Sequence, residues 1–140
     1  MASVPASAHR HAIRVYYEDT DAAGLVYYAN YLRFAERART EWLRALGFDH
    51  TALRAGLGVA FAVRRCTVDY RRPARLDDLL EVETRVVRLG GASARLDQVV
   101  SRDGDALVSL SVELALMDAD GRPARMPAGL RAAIGPLLAT

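Results

Sequence analysis

No lysine occurs in this sequence, and cysteine and histidine are scarce. All 19 basic residues are arginine, set against 17 acids, so the formal net charge is only +2. The acids are spread among the arginines, and such a composition does not describe a nucleic-acid binder. The one cysteine, Cys66, excludes an internal disulfide and reads as a small core residue. His9, His11 and His50 lie near no plausible nucleophile, so neither a conventional triad nor a His-based acid–base pair can be assembled. No run approaches the roughly 18 continuous apolar residues of a membrane-spanning helix. The opening MASVPASAHRH lacks the apolar centre of a secretory signal. The expected location is the cytoplasm.

The chain has the length of one domain, 140 residues, and its 51% hydrophobic content is enough to build a core without staples. Residues 1–11 are small, polar and aperiodic, which predicts a disordered tail and leaves 12–140 as a single domain. Ile13 to Tyr17 reads as a short strand. A helix is predicted from near Tyr27 or Tyr28, because Tyr31, Phe34, Ala35, Ala38, Trp42, Ala45 and Leu46 recur at three- and four-residue steps. Gly47 is a natural stop. A shorter helical piece is expected over residues 49–55.

Beyond Gly58 the period becomes two. Val59, Phe61 and Val63 alternate, then Cys66, Val68 and Tyr70 alternate one step out of phase, which predicts a β-bulge at Arg64–Arg65. Leu80 to Val86 alternates again, Gly90–Gly91 marks a hairpin, and residues 92–102 form a weaker strand. After the turn at 102–105, Val108 to Leu116 is the cleanest alternation in the chain. A short terminal helix is expected over 127–138. Strand, long helix, then antiparallel strands with tight turns give an α+β domain.

Three carboxylates, Glu18, Asp19 and Asp21, crowd the stretch EDTDAAG, where like charges repel. They lack the twelve-residue calcium loop and its closing glutamate, so no metal is called for, and no other cofactor either. An aspartate before a helix can simply cap it or bind turn amides. Context adds a chemical reading. Gly24 permits a tight path into the helix, whose first amides lack internal partners and sit at the positive end of its dipole. A thioester carbonyl resting there would meet a ready donor, with a carboxylate a few residues upstream as nucleophile or base.

The stretch DTDAAGLVYYANYLRFAERARTEWL also resembles the signature of hotdog-fold acyl-CoA thioesterases of the 4-hydroxybenzoyl-CoA thioesterase class. The likeness is strongest to the branch associated with the bacterial Tol–Pal cell-envelope system. It resumes at VRRCTVDYRRPARLDDLLEVET and spans residues 13 to about 118. The resemblance implies a hotdog fold, a long central helix wrapped by a curved antiparallel β-sheet. It implies hydrolysis of acyl-CoA, Asp21 as the catalytic aspartate, and the backbone amide of Tyr28 as the carbonyl-polarising donor. Many members of this branch carry His where this chain has Tyr28; a backbone amide survives that change.

Five of the six tyrosines lie between residues 16 and 31 and are read as lining the pocket, Tyr27 among them. The arginines at 64, 65, 71, 72 and 75 are candidates for the phosphates of coenzyme A, or for a charged strand edge. The strand at 107–116 is too apolar to remain an open edge, and the family joins two sheets edge to edge. A homodimer or homotetramer is therefore expected, with Asp21 of one subunit facing Val59, Phe61 and Val63 of its neighbour. The rival reading is a non-hydrolytic adaptor that binds acyl-CoA or acyl carrier protein for envelope or phospholipid machinery.

Overall fold

The computed structural model describes residues 8–138. Strand β1 (His9–Arg14) leads through a 3-10 turn (Tyr17–Asp19) to helix α1 (Asn30–Ala45). A short helix α2 (His50–Ala52) runs into a π-helical turn (Leu53–Leu57). Four strands follow: β2 (Ala60–Tyr70), β3 (Leu79–Leu89), β4 (Ser93–Arg102) and β5 (Asp105–Met117). Helix α3 (Ala128–Ile134) comes last, ending in a 3-10 turn (Gly135–Leu137).

The five strands form one antiparallel sheet in the order β1-β3-β4-β5-β2, with α1 against one face: the α+β hotdog arrangement. Phe34, Ala35, Ala38 and Trp42 line the buried side of α1 and meet Val82, Leu96 and Val112 of the sheet in a single core. The predicted bulge is present, since the β2–β5 register shifts between Val63 and Arg65. Gly47, at φ +90°, lies just beyond the helix in a conformation that costs glycine little.

Five expectations need correction. The first strand begins at His9, so residues 9–11 belong to the sheet; residues 1–7 lie outside the described residues. Its polar alternation gives no periodic signal, yet the ladder from His9–Thr84 to Arg14–Leu79 supplies the missing backbone partners. That strand stops at Arg14 because Val15 exchanges backbone bonds with Asp77 and Asp78 instead (3.0 and 2.9 Å). Helix α1 starts at Asn30 rather than at Tyr27 or Tyr28, since the Val26 and Tyr27 amides are drawn to the carbonyls of Ala74 and Asp19. The apolar strand β5 is not an edge: it is covered on both sides by β4 and β2. The edge is β2. Helix α1 leans on β1, β3 and β4 and leaves β2 exposed along much of its length, so Cys66 is exposed there and is not the core residue expected from its type.

One polar cluster interrupts the core. Gln98 is fully buried; its Nε2 donates to the Ala35 carbonyl of α1 (3.0 Å) and to Thr84 Oγ1 of β3 (2.9 Å). Its Oε1 accepts from Arg39 Nη1 (3.0 Å). Burial pulls the Arg39 guanidinium below its ordinary value, a sign that its charge is poorly solvated there.

Replacing Gln98 by Leu is expected to cost about 1–3 kcal/mol in chemical denaturation, because buried partners on both helix and sheet lose their bonds. A second prediction concerns acid. Asp78 Oδ2 accepts from Arg102 Nη1 (2.6 Å) and the Arg75 amide (2.8 Å). Burial pushes the Asp78 carboxyl up, but those two donors outweigh it and hold it below its ordinary 3.8. Its contribution is therefore complete above 3.8 and is lost as the pH falls through the lowered folded-state value. Thermal unfolding should find Asp78→Asn less stable than wild type at neutral pH, with the gap closing in strong acid.

Candidate active site

Two aspartates of DTD have separate jobs. Asp19 is buried; its Oδ2 accepts from the Tyr16 amide (2.9 Å). Its carbonyl accepts from the Tyr27 amide (3.0 Å) and from Asn30 Nδ2 (2.8 Å). Asp19 thus ties the 3-10 turn to the mouth of α1. Asp21 is exposed. Its Oδ1 accepts from the amides of Ala23 (2.8 Å) and Leu25 (3.1 Å), while Oδ2 has no hydrogen-bond partner among the described residues. One oxygen fixes the carboxylate and the other remains available. Gly24, at φ +77°, makes the turn possible, and its carbonyl accepts from the Leu76 amide (3.2 Å).

That second segment forms the opposite lip. Val26 donates to the Ala74 carbonyl (2.9 Å), and Ala74 donates to Tyr31 Oη (2.9 Å). Leu25 and Arg75 form an isolated bridge. Between the two segments lies a cleft of about 410 Å³ lined by Asp21, Tyr27, Tyr28, Tyr31, Tyr70, Arg71 and Arg72, together with Leu25, Val26 and Pro73. No acceptor among the described residues takes the Tyr28 N–H, which sits just ahead of α1. Burial pushes the Tyr31 hydroxyl above its ordinary value, so it stays protonated and can both accept and donate.

The sequence-derived residues divide into two groups. Asp21, Tyr27 and Tyr28 meet in the cleft, with Gly24 in the turn that shapes it. Val59 is buried in the core, and Phe61 and Val63 line a separate groove with Arg39, Trp42 and Leu114. Val63 is about 23 Å along β2 from Tyr70, so within one chain this group does not reach Asp21. Of the arginines, Arg71 and Arg72 border the cleft, and Arg71 pairs with Asp69 (3.2 Å). Tyr70 was legible only as an inward-facing strand residue. Its place in the cleft comes from the chain reversing at 71–76 to pair with the Asp21 turn. No group of three or more His, Cys, Asp or Glu side chains able to share a cation occurs among the described residues.

Known proteins share this fold and much of this sequence. The sequence pattern of the thioesterase-like superfamily matches residues 15–134. The acyl-CoA thioesterase YbgC of Haemophilus influenzae is 44% identical over 122 residues, covering 86% of this chain and 90% of that protein. The acyl-CoA thioester hydrolase YbgC of Escherichia coli O157:H7 is 47% identical over 110 residues, 78% of this chain and 81% of its own length. A probable thioesterase from Bartonella henselae superposes with a TM-score of 0.83 at 41% identity, covering 86% of this chain and 99% of that one. The chain belongs to the thioesterase-like superfamily.

Proposed function

We propose that this protein is an acyl-CoA thioesterase that converts acyl-CoA and water to a carboxylic acid and coenzyme A. The observation that carries the reading is the pairing, in one cleft, of the free Asp21 oxygen with the unpartnered Tyr28 amide at the mouth of α1. The thioester oxygen rests at the Tyr28 N–H, whose bond strengthens as negative charge develops there. Asp21 Oδ2 either attacks the carbonyl carbon, giving a mixed anhydride that water opens, or takes a proton from the attacking water. The thiolate leaves readily and picks up a proton. Tyr28 acts through its backbone, so the tyrosine side chain in place of histidine leaves this donor intact. Tyr27 and Gly24 shape the wall of the same site.

The relatives' names support acyl-CoA as the substrate class. The DTDAAG signature supports the 4-hydroxybenzoyl-CoA thioesterase class and the Tol–Pal-associated branch as part of the same proposal, with acyl carrier protein as an alternative carrier of the acyl group. The second group of residues enters through assembly. Strand β2 is an exposed edge with Val63 and Tyr70 both about half exposed. Antiparallel pairing of β2 with a second copy, about a two-fold axis near Cys66, sets Val63 of the partner subunit beside Tyr70. The groove holding Phe61 and Val63 then continues the cleft across the joint, and Val59 supports it from the core.

Two outcomes are expected. Asp21→Asn should fold and lose about two to four orders of magnitude in turnover of acyl-CoA, the scale of a lost acid–base group. A folded variant with near wild-type turnover would refute the role of Asp21, and a wild-type chain that binds acyl groups without hydrolysing them would favour an adaptor. For assembly, light scattering coupled to size exclusion should give a dimer or tetramer; a fully active species near 15.3 kDa would rule out a shared site.

A further inference from the structure

Tyr70 closes strand β2 at the point where the sheet edge meets the mouth of α1. Its hydroxyl donates to the Tyr28 carbonyl, 3.2 Å away; a carbonyl only accepts, which fixes the direction of the bond. Its ring meets the rings of Tyr28 and Tyr31 edge-on, at centroid distances of 6.3 and 5.8 Å. Tyr31 is itself anchored, since it is buried and its hydroxyl holds the Ala74 amide. Tyr70 therefore leans on a fixed wall while it grips Tyr28.

The backbone around Tyr28 consists of two peptide planes. The plane that carries the Tyr28 N–H is held at its other end, where the Tyr27 carbonyl accepts from the Asn30 amide (2.8 Å). The next plane, which carries the Tyr28 carbonyl, is held by Tyr70. With both planes fixed, the N–H of Tyr28 has one direction. We propose that Tyr70 is a positioning residue for thioester hydrolysis, holding the Tyr28 carbonyl so that the Tyr28 amide stays aimed at the substrate oxygen. The role rests on the thioesterase reading of the cleft. It places the aim of the oxyanion donor under the control of strand β2, which is remote in sequence from the DTDAAG turn. Burial, with lesser help from Cys66 and the neighbouring tyrosines, pushes the Tyr70 hydroxyl above its ordinary value, so the donor persists throughout neutral pH.

The test compares wild type, Tyr70→Phe and Tyr70→Leu in steady-state hydrolysis of one acyl-CoA. Misaiming a catalytic group by a fraction of an ångström slows chemistry more than binding, so Tyr70→Phe should lower kcat about tenfold and leave KM within about twofold. Its melting temperature should stay near wild type. The amide proton of Ala29, on the same peptide plane as the Tyr28 carbonyl, should shift in the NMR spectrum of the Phe variant. An equal fall in kcat for Leu and Phe traces the effect to the hydroxyl and supports the role. A fall confined to Leu assigns it to ring packing and overturns the role. A raised KM at unchanged kcat also overturns it, because the hydroxyl would then be contacting bound substrate. A wild-type chain inert toward every acyl-CoA sinks the thioesterase reading and this role with it, whereas an active wild type matched by the Phe variant sinks this role alone.

Discussion

The amide of Gln98 is the joint between helix and sheet. Apolar packing alone would let α1 slide or turn on the sheet at little cost, since such contacts have no direction. Gln98 removes that freedom by bonding the Ala35 carbonyl, Thr84 and Arg39 at once. The register it sets between α1 and strands β3 and β4 determines where the mouth of α1 lies, and every group in the cleft is measured from there. A buried polar group satisfied on both faces costs little and specifies much.

The DTD segment shows how close charges are reconciled. Asp19 spends its carboxylate on a backbone amide inside the protein, and its carbonyl serves the helix mouth. Asp21 keeps one oxygen for its own turn and presents the other to solvent. The two carboxylates sit in different surroundings, one buried and one open. A buried anchor and an exposed carboxylate thus occupy alternate positions of one short motif, and the threonine between them donates its hydroxyl to the Tyr17 carbonyl (2.7 Å).

Much of this was legible in the sequence. The three- and four-residue steps of α1, the period-two strands and both Gly-containing hairpins follow from local chemistry, and so does the slip at Arg64. Asp21 and Tyr28 were singled out by the resemblance of DTDAAGLVYY to the family signature, and both line the cleft. The failures have a common cause, which is that partners distant in sequence decided the outcome. Strand β1 has almost no apolar signal of its own and is held by β3. Residues 93–102 read as a weak strand because Gln98 occupies an inward position where an apolar residue was expected. Strand β5 looked like an edge in need of cover, and β2 turned out to be its cover. Tyr70 entered the cleft through a reversal of the chain that no periodicity records.

The bulge at Arg64 has a consequence for how the protein avoids fibrils. An exposed edge strand offers a continuous row of amides and carbonyls to any chain that can align with it. In β2 that row is broken between Val63 and Arg65, leaving two short segments on either side of a local twist. An endless stack of flat strands cannot form on this edge without straightening the kink. The same irregularity that brings Cys66, Val68 and Tyr70 back onto the inner face thus also makes the edge a poor template for open-ended stacking.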